Sequence, residues 1–118
     1  MFVRLCVIST LVVLPIVLRH EYANNHGGGW WIQRSQMLAR LQSEGGKHLI
    51  IVRYGPDHVS GNEWVFNAAD INAAPVIWAR EMSPAEMPKL IDHFKDRRTW
   101  LLDVEQDGRA PTLTAYPK

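Results

Sequence analysis

The stretch Arg53-Tyr54-Gly55-Pro56-Asp57-His58 sets a guanidinium, a phenol, a carboxylate and an imidazole side by side, and Arg80-Glu81 and Asp103 with Glu105 add further charge downstream. Three chemistries fit these residue types. Arg53 and Arg80 carry planar forks that match phosphate or carboxylate in a bidentate manner. With Tyr54 and Glu81 beside them they could hold an anionic or sugar-like ligand. Asp57 and His58, helped by Glu81 or Asp103, have the groups for an acid/base pair or for metal ligation, as in a small hydrolase or transferase acting on a sugar or phosphate ester. The third possibility involves no ligand: Arg53 and Arg80 pair with Asp57, Glu63, Asp70 or Glu81 and simply hold the loops together.

The known catalytic signatures do not decide between them. The chain has no glycine-rich dinucleotide fingerprint, phosphate loop, zinc spacing or nucleophile elbow. Ser60 and Ser83 have no histidine at motif spacing, and His20 and His26 have no carboxylate at ligand spacing. We therefore assign no catalytic residue, no metal and no cofactor. The candidate binding residues are Arg53, Tyr54, Asp57, His58, Arg80 and Glu81.

The elements that must position these residues read as an α/β alternation. Trp31 to Gln42 forms a helix with Trp31, Met37, Leu38 and Leu41 near one face and Arg34, Gln36 and Arg40 outside. Gly45 and Gly46 end it as a left-handed cap. His48 to Tyr54 is apolar through its middle, as a strand buried on both faces would be. Glu63 to Asn67 reads as a short strand or extended loop, and Ala68 to Ala73 as a short helix. Pro75 to Arg80 is a second buried strand. Ser83-Pro84-Ala85-Glu86 has the form of a capping box. It opens a helix with Met87, Leu90, Ile91 and Phe94 on its core face. Thr99 to Val104 is a third strand, Asp107-Gly108 a turn, and Thr112 to Tyr116 an edge strand. This order builds a parallel sheet. The expected fold is a small Rossmann-like three-layer α/β domain with a short, mostly parallel sheet. Ligands of such sheets lie beyond the carboxyl ends of the strands, and the candidate residues fall there.

Composition narrows the partners. In 118 residues the net charge is +1, with 47% hydrophobic and 21% charged residues. An ordinary globular balance with no concentrated basic face argues against nucleic acid. The single cysteine, Cys6, leaves the rest of the chain no disulfide, so it folds by its core alone.

Leu5 to Leu18 is apolar and uncharged, with Arg4 before it and Arg19 and His20 after it. It is short for a spanning helix unless Met1 to Arg4 extend it, and Pro15 would kink it. The readings are an uncleaved anchor or final membrane helix, a signal peptide with a poor cleavage site near Ala23, and a buried soluble helix. The flanking charges set no orientation. Residues 1–19 are thus expected to be a membrane helix or anchor, residues 20–29 a polar, glycine-rich linker, and residues 30–118 the soluble domain. Trp30 and Trp31, just past the linker, suit either a membrane interface or the domain core.

Lys47 to His58, Asn62 to Ile71, Val76 to Met82 and Phe94 to Leu102 together resemble a soluble C-terminal domain of bacterial multi-pass membrane proteins. Those proteins are labelled hypothetical or similar to dolichyl-phosphate-mannose–protein mannosyltransferases. The resemblance spans roughly Trp31 to Pro117. It implies that the apolar start is the last membrane helix, that the soluble part is extracytoplasmic in the inner membrane, and that its partner is the membrane portion of a parent transferase. In that class the catalytic carboxylates lie on loops between membrane helices that this chain lacks. No catalytic residue carries over, and an accessory, non-catalytic role is the expectation.

Overall fold

The computed structural model describes residues 29–58, 60–104 and 110–117. The expected membrane helix over 1–19, nearly all of the linker, the Asp107-Gly108 turn and Glu105 lie outside them. Among the described residues no helix is long and apolar enough to cross a membrane. The chain divides into two compact units, Met1–Gln33 and Arg34–Lys118. In the first, Gly29 caps the start of a helix by accepting the Ile32 amide at 2.9 Å, and the Trp30 and Trp31 rings meet edge to face at 6.3 Å.

The elements run α1 (Trp30–Glu44), β1 (His48–Tyr54), β2 (Val76–Arg80), α2 (Met87–His93), β3 (Arg98–Val104) and β4 (Thr112–Ala115). They form a mixed α/β fold around one four-stranded sheet of order β2-β1-β3-β4. The first three strands are parallel, and β4 pairs antiparallel with β3. Central position explains the apolar run of β1: Leu49, Ile50 and Ile51 are completely buried because neighbours cover both faces. Strand pleating sends alternate residues to opposite faces. Leu49, Ile51, Ile77 and Leu101 share one face with Met87, and Leu90, Ile91, Phe94 and Tyr116 pack around them. The core stripe expected of α2 is therefore in place. Trp78, on the other face, meets Trp64 with ring centroids 6.3 Å apart.

Gly45 and Gly46 close α1 with φ of 73° and 77°, a conformation that costs a residue with a Cβ. His48 fills its buried site with both ring nitrogens occupied. The Trp100 indole donates to Nδ1 at 3.1 Å, and Nε2 meets the Gly45 carbonyl at 2.9 Å. That pairing fixes the neutral tautomer with its hydrogen on Nε2.

Two local expectations need correction. Ala68 to Ala73 forms turns, not a helix, because the Asp70 side chain accepts the Ala73 amide at 3.2 Å and offers the backbone an alternative partner. The helix read from Ser83 becomes regular only at Met87. The Ser83 hydroxyl donates to the Glu86 carboxylate at 3.0 Å, so the Glu86 cap position has no side-chain bond to the backbone.

Candidate functional site

The parallel sheet brings Arg53, Tyr54, Arg80, Glu81 and Asp103 to one rim, at the carboxyl ends of β1, β2 and β3. The pleat then sorts them. Arg53 and Tyr54 are consecutive, so their side chains leave on opposite faces, and the rim carries two separate clusters.

On the face shared with α2, Arg53 grips Glu81 in a bidentate fork, with Nε and Nη2 each 2.7 Å from a carboxylate oxygen. Its Nη1 lies 3.7 Å from Asp103. The hydrogen bonds from Arg53 hold the Glu81 carboxyl below the usual range.

On the other face, Tyr54 donates its hydroxyl to Glu63 and accepts the Trp64 amide at 3.0 Å. The other Glu63 oxygen receives Arg80, and the Val65 amide adds a bond at 2.9 Å. Burial pushes the Glu63 carboxyl up, but the donors Tyr54, Arg80 and Val65 and the Arg80 charge outweigh it and bring it down to about 2. The Tyr54 phenol moves up to about 12, first through burial and then because it donates to a carboxylate that gains from keeping that proton. The Arg80 guanidinium lies 5.3 Å from the Tyr54 ring, and His58 stacks on the same ring at 3.8 Å.

The six candidate residues therefore do not form one pocket. Arg53 and Glu81 pair on one side, while Tyr54, His58 and Arg80 assemble around Glu63 on the other. Asp57 stays exposed in the turn after β1 and makes no side-chain hydrogen bond or ion pair among the described residues. Instead of joining Asp57 in a dyad, the His58 ring stacks on Tyr54. Among the described residues no group of three or more His, Cys, Asp or Glu is placed to hold a metal ion.

Three structural residues escaped the sequence reading. Arg34, read as an outer position of α1, is only 8% exposed. Its Nε and Nη2 donate to the Trp64 and Phe66 carbonyls at 2.9 and 2.8 Å, and its guanidinium lies 3.6 Å from the Phe66 ring centroid and 4.3 Å from that of Trp78. Arg97, next to Asp96 and Arg98 in the chain, is buried and donates to the Ala74 and Asn72 carbonyls at 2.7 and 2.9 Å. Asn67 binds both the amide and the carbonyl of Trp78 at 2.8 Å, covering part of the outer edge of β2 as a strand would. The only sequence signal for these was the aromatic density from Trp64 to Asn67, since an arginine stacks readily on such rings.

Comparison of the chain with protein-family models, with curated proteins and with solved structures finds no match.

Proposed function

We propose that this chain is an extracytoplasmic accessory domain of a bacterial membrane glycosyltransferase-like protein, tethered through residues 1–19 and performing no catalytic step itself. In this reading the domain is a small Rossmann-like three-layer fold held beside the inner membrane, with a structural or polar-ligand-binding role. The observation that carries the non-catalytic part is the state of the rim. Each of its guanidiniums is matched to a carboxylate, Arg53 to Glu81 and Arg80 to Glu63. A catalytic rim would be expected to leave at least one such group oriented toward an open space for substrate. The apolar run Leu5 to Leu18 and the tryptophan pair that follows support the tether, and the sequence resemblance supports the partner and the side of the membrane.

One labelling experiment addresses attachment and side together. Cys6 is the only native cysteine, so Cys6→Ser with Ser60→Cys leaves a single thiol in an exposed loop. Full-length protein should sediment with membranes after a carbonate wash, and an impermeant maleimide should label it in intact spheroplasts. Release by carbonate would remove the tether. Labelling only after permeabilisation would place the domain on the cytoplasmic side.

A further inference from the structure

A cavity of about 350 Å³ opens between α1, the segment after Trp64 and β2, and no rim residue lines it. Arg34, Leu38 and Gln42 form its helix wall, because residues four and eight apart share one face of a helix. Val76 and Trp78 come from β2. Phe66 also lines the cavity, yet keeps 53% of its surface exposed. The volume falls at the small end of the range for small-molecule sites.

Arg34 is the one charged residue among those that line it. A guanidinium carries five N–H donors fixed in one plane. Two of them are used, from Nε to the Trp64 carbonyl and from Nη2 to the Phe66 carbonyl. The other edge of the fork, Nη1 with the second Nη2 hydrogen, has no partner among the described residues. Nη1 is not sealed inside the fold, so this edge meets the open space that Arg34 lines. Arg34 is 8% exposed and forms no ion pair among the described residues. Burial lowers its guanidinium from the usual value. A buried cation with dipoles but no counter-charge favours an anion that supplies one, and a carboxylate matches two parallel N–H donors.

We propose that this cavity binds a small aromatic carboxylate, forked on Nη1 and Nη2 of Arg34, with its ring against Leu38, Phe66 and Val76. The ring would cover apolar surface that Phe66 now shows to water. The site does not depend on membrane attachment.

The test uses the full chain in lipid nanodiscs, with 13C-labelled leucine and valine methyls and two probes of equal skeleton, benzoate and benzyl alcohol. Leu38 and Val76 report on the cavity, and Leu90, packed under α2, serves as the internal reference. Benzoate should shift the Leu38 and Val76 methyls saturably, leave Leu90 unmoved, and bind about tenfold more tightly than the alcohol. Ala68 lines the cavity and is exposed, so substitution there spares both Arg34 and the core. Ala68→Glu should weaken benzoate about three- to tenfold by repulsion without changing the alcohol. Ala68→Gln, matched in size but neutral, should keep the preference for benzoate. Equal affinity for both probes, no saturable shift, an equal loss in the two Ala68 variants, or shifts as large at Leu90 would overturn the proposal. Leu38 and Val76 shifts that follow protein concentration without any probe would assign the cavity to a second copy of the chain, and would overturn it too.

Discussion

At the carboxyl rim, Arg53 and Arg80 face water and each meets a carboxylate. Deeper in the fold, Arg34 and Arg97 donate to backbone carbonyls and lie against aromatic rings. The difference follows from solvation. In water an ion pair gains little, because solvent screens it and two long side chains lose freedom. Below the surface a carboxylate partner would have to be desolvated as well. A carbonyl already buried by the fold gives the guanidinium a dipole at no such cost, and satisfies itself in the process. The rim residues, prominent in the sequence as candidate chemistry, thus contribute modestly to stability, whereas Arg34, read as an outer helix position, and Arg97 tie loops to the sheet.

The strongest way to break that contrast is Arg34→Ala. It strips the Trp64 and Phe66 carbonyls of their donors and removes the cation stacked on Phe66 and Trp78. A loss of about 2–4 kcal/mol is expected in denaturant titration. A loss below about 0.5 kcal/mol, within the range of ordinary surface substitutions, would show that buried and exposed arginines matter equally here.

Asn67→Asp extends the comparison to a neutral group. The wild-type amide donates to the Trp78 carbonyl and accepts its N–H. A carboxylate can still accept but sets one acceptor against another. About 1–2 kcal/mol should be lost, and the bared edge of β2 should favour self-association, read by light scattering. Unchanged stability together with unchanged scattering would mean that the edge needs no cover.

Glu63 is where the rim is expected to matter most, and pH isolates it. Its carboxyl sits at about 2 in the folded protein against an ordinary 4.5. A depressed folded value contributes stability that is complete above the ordinary value and disappears as pH falls toward the folded one. Stability should therefore decline from about pH 4.5 to about pH 2, with this group supplying about 1–2 kcal/mol after allowance for its contact with solvent. Glu63→Gln should flatten that part of the curve, leaving the smaller slope due to Glu81 and Asp96, whose carboxyls Arg53 and Lys47 hold low. An acid limb identical in both proteins would remove Glu63 from the account.

The frame of this fold was legible because it depends on residues that act in sets. The bounds of β1 fall where the apolar run and Gly45-Gly46 place them, and the stripe Met87, Leu90, Ile91 and Phe94 is the core face of α2. The edge strand expected within Thr112 to Tyr116 is β4, and its antiparallel direction was not part of that expectation. Single long-range partners were not legible. Nothing near Arg34 in sequence announces carbonyls about thirty positions away, and a helix-face count naturally assigns an arginine to solvent. The rim was half legible. Topology brought Arg53, Tyr54, Arg80 and Glu81 to one end of the sheet, but treating that end as a single site ignored the pleat, which parts Arg53 from Tyr54.

The smallest expected effect completes the contrast. Arg53 forks onto Glu81 with two bonds of 2.7 Å and approaches Asp103 at 3.7 Å, yet its side chain is 46% exposed. Good geometry raises the value of such a pair, while solvent and the lost rotamer freedom lower it. Arg53→Ala should cost no more than about 0.5 kcal/mol, and this cost should shrink further in 0.5 M salt as screening shortens the reach of the charges. The result discriminates because the same substitution would be severe if the fork anchored the β1–β2 rim as Arg34 anchors the loop after Trp64. A loss that approaches the Arg34→Ala value and ignores salt would mean that Glu81 and Asp103 repel each other strongly enough to need the cation between them. The rim would then be a structural centre of the domain, and solvent exposure would cease to separate the two kinds of arginine.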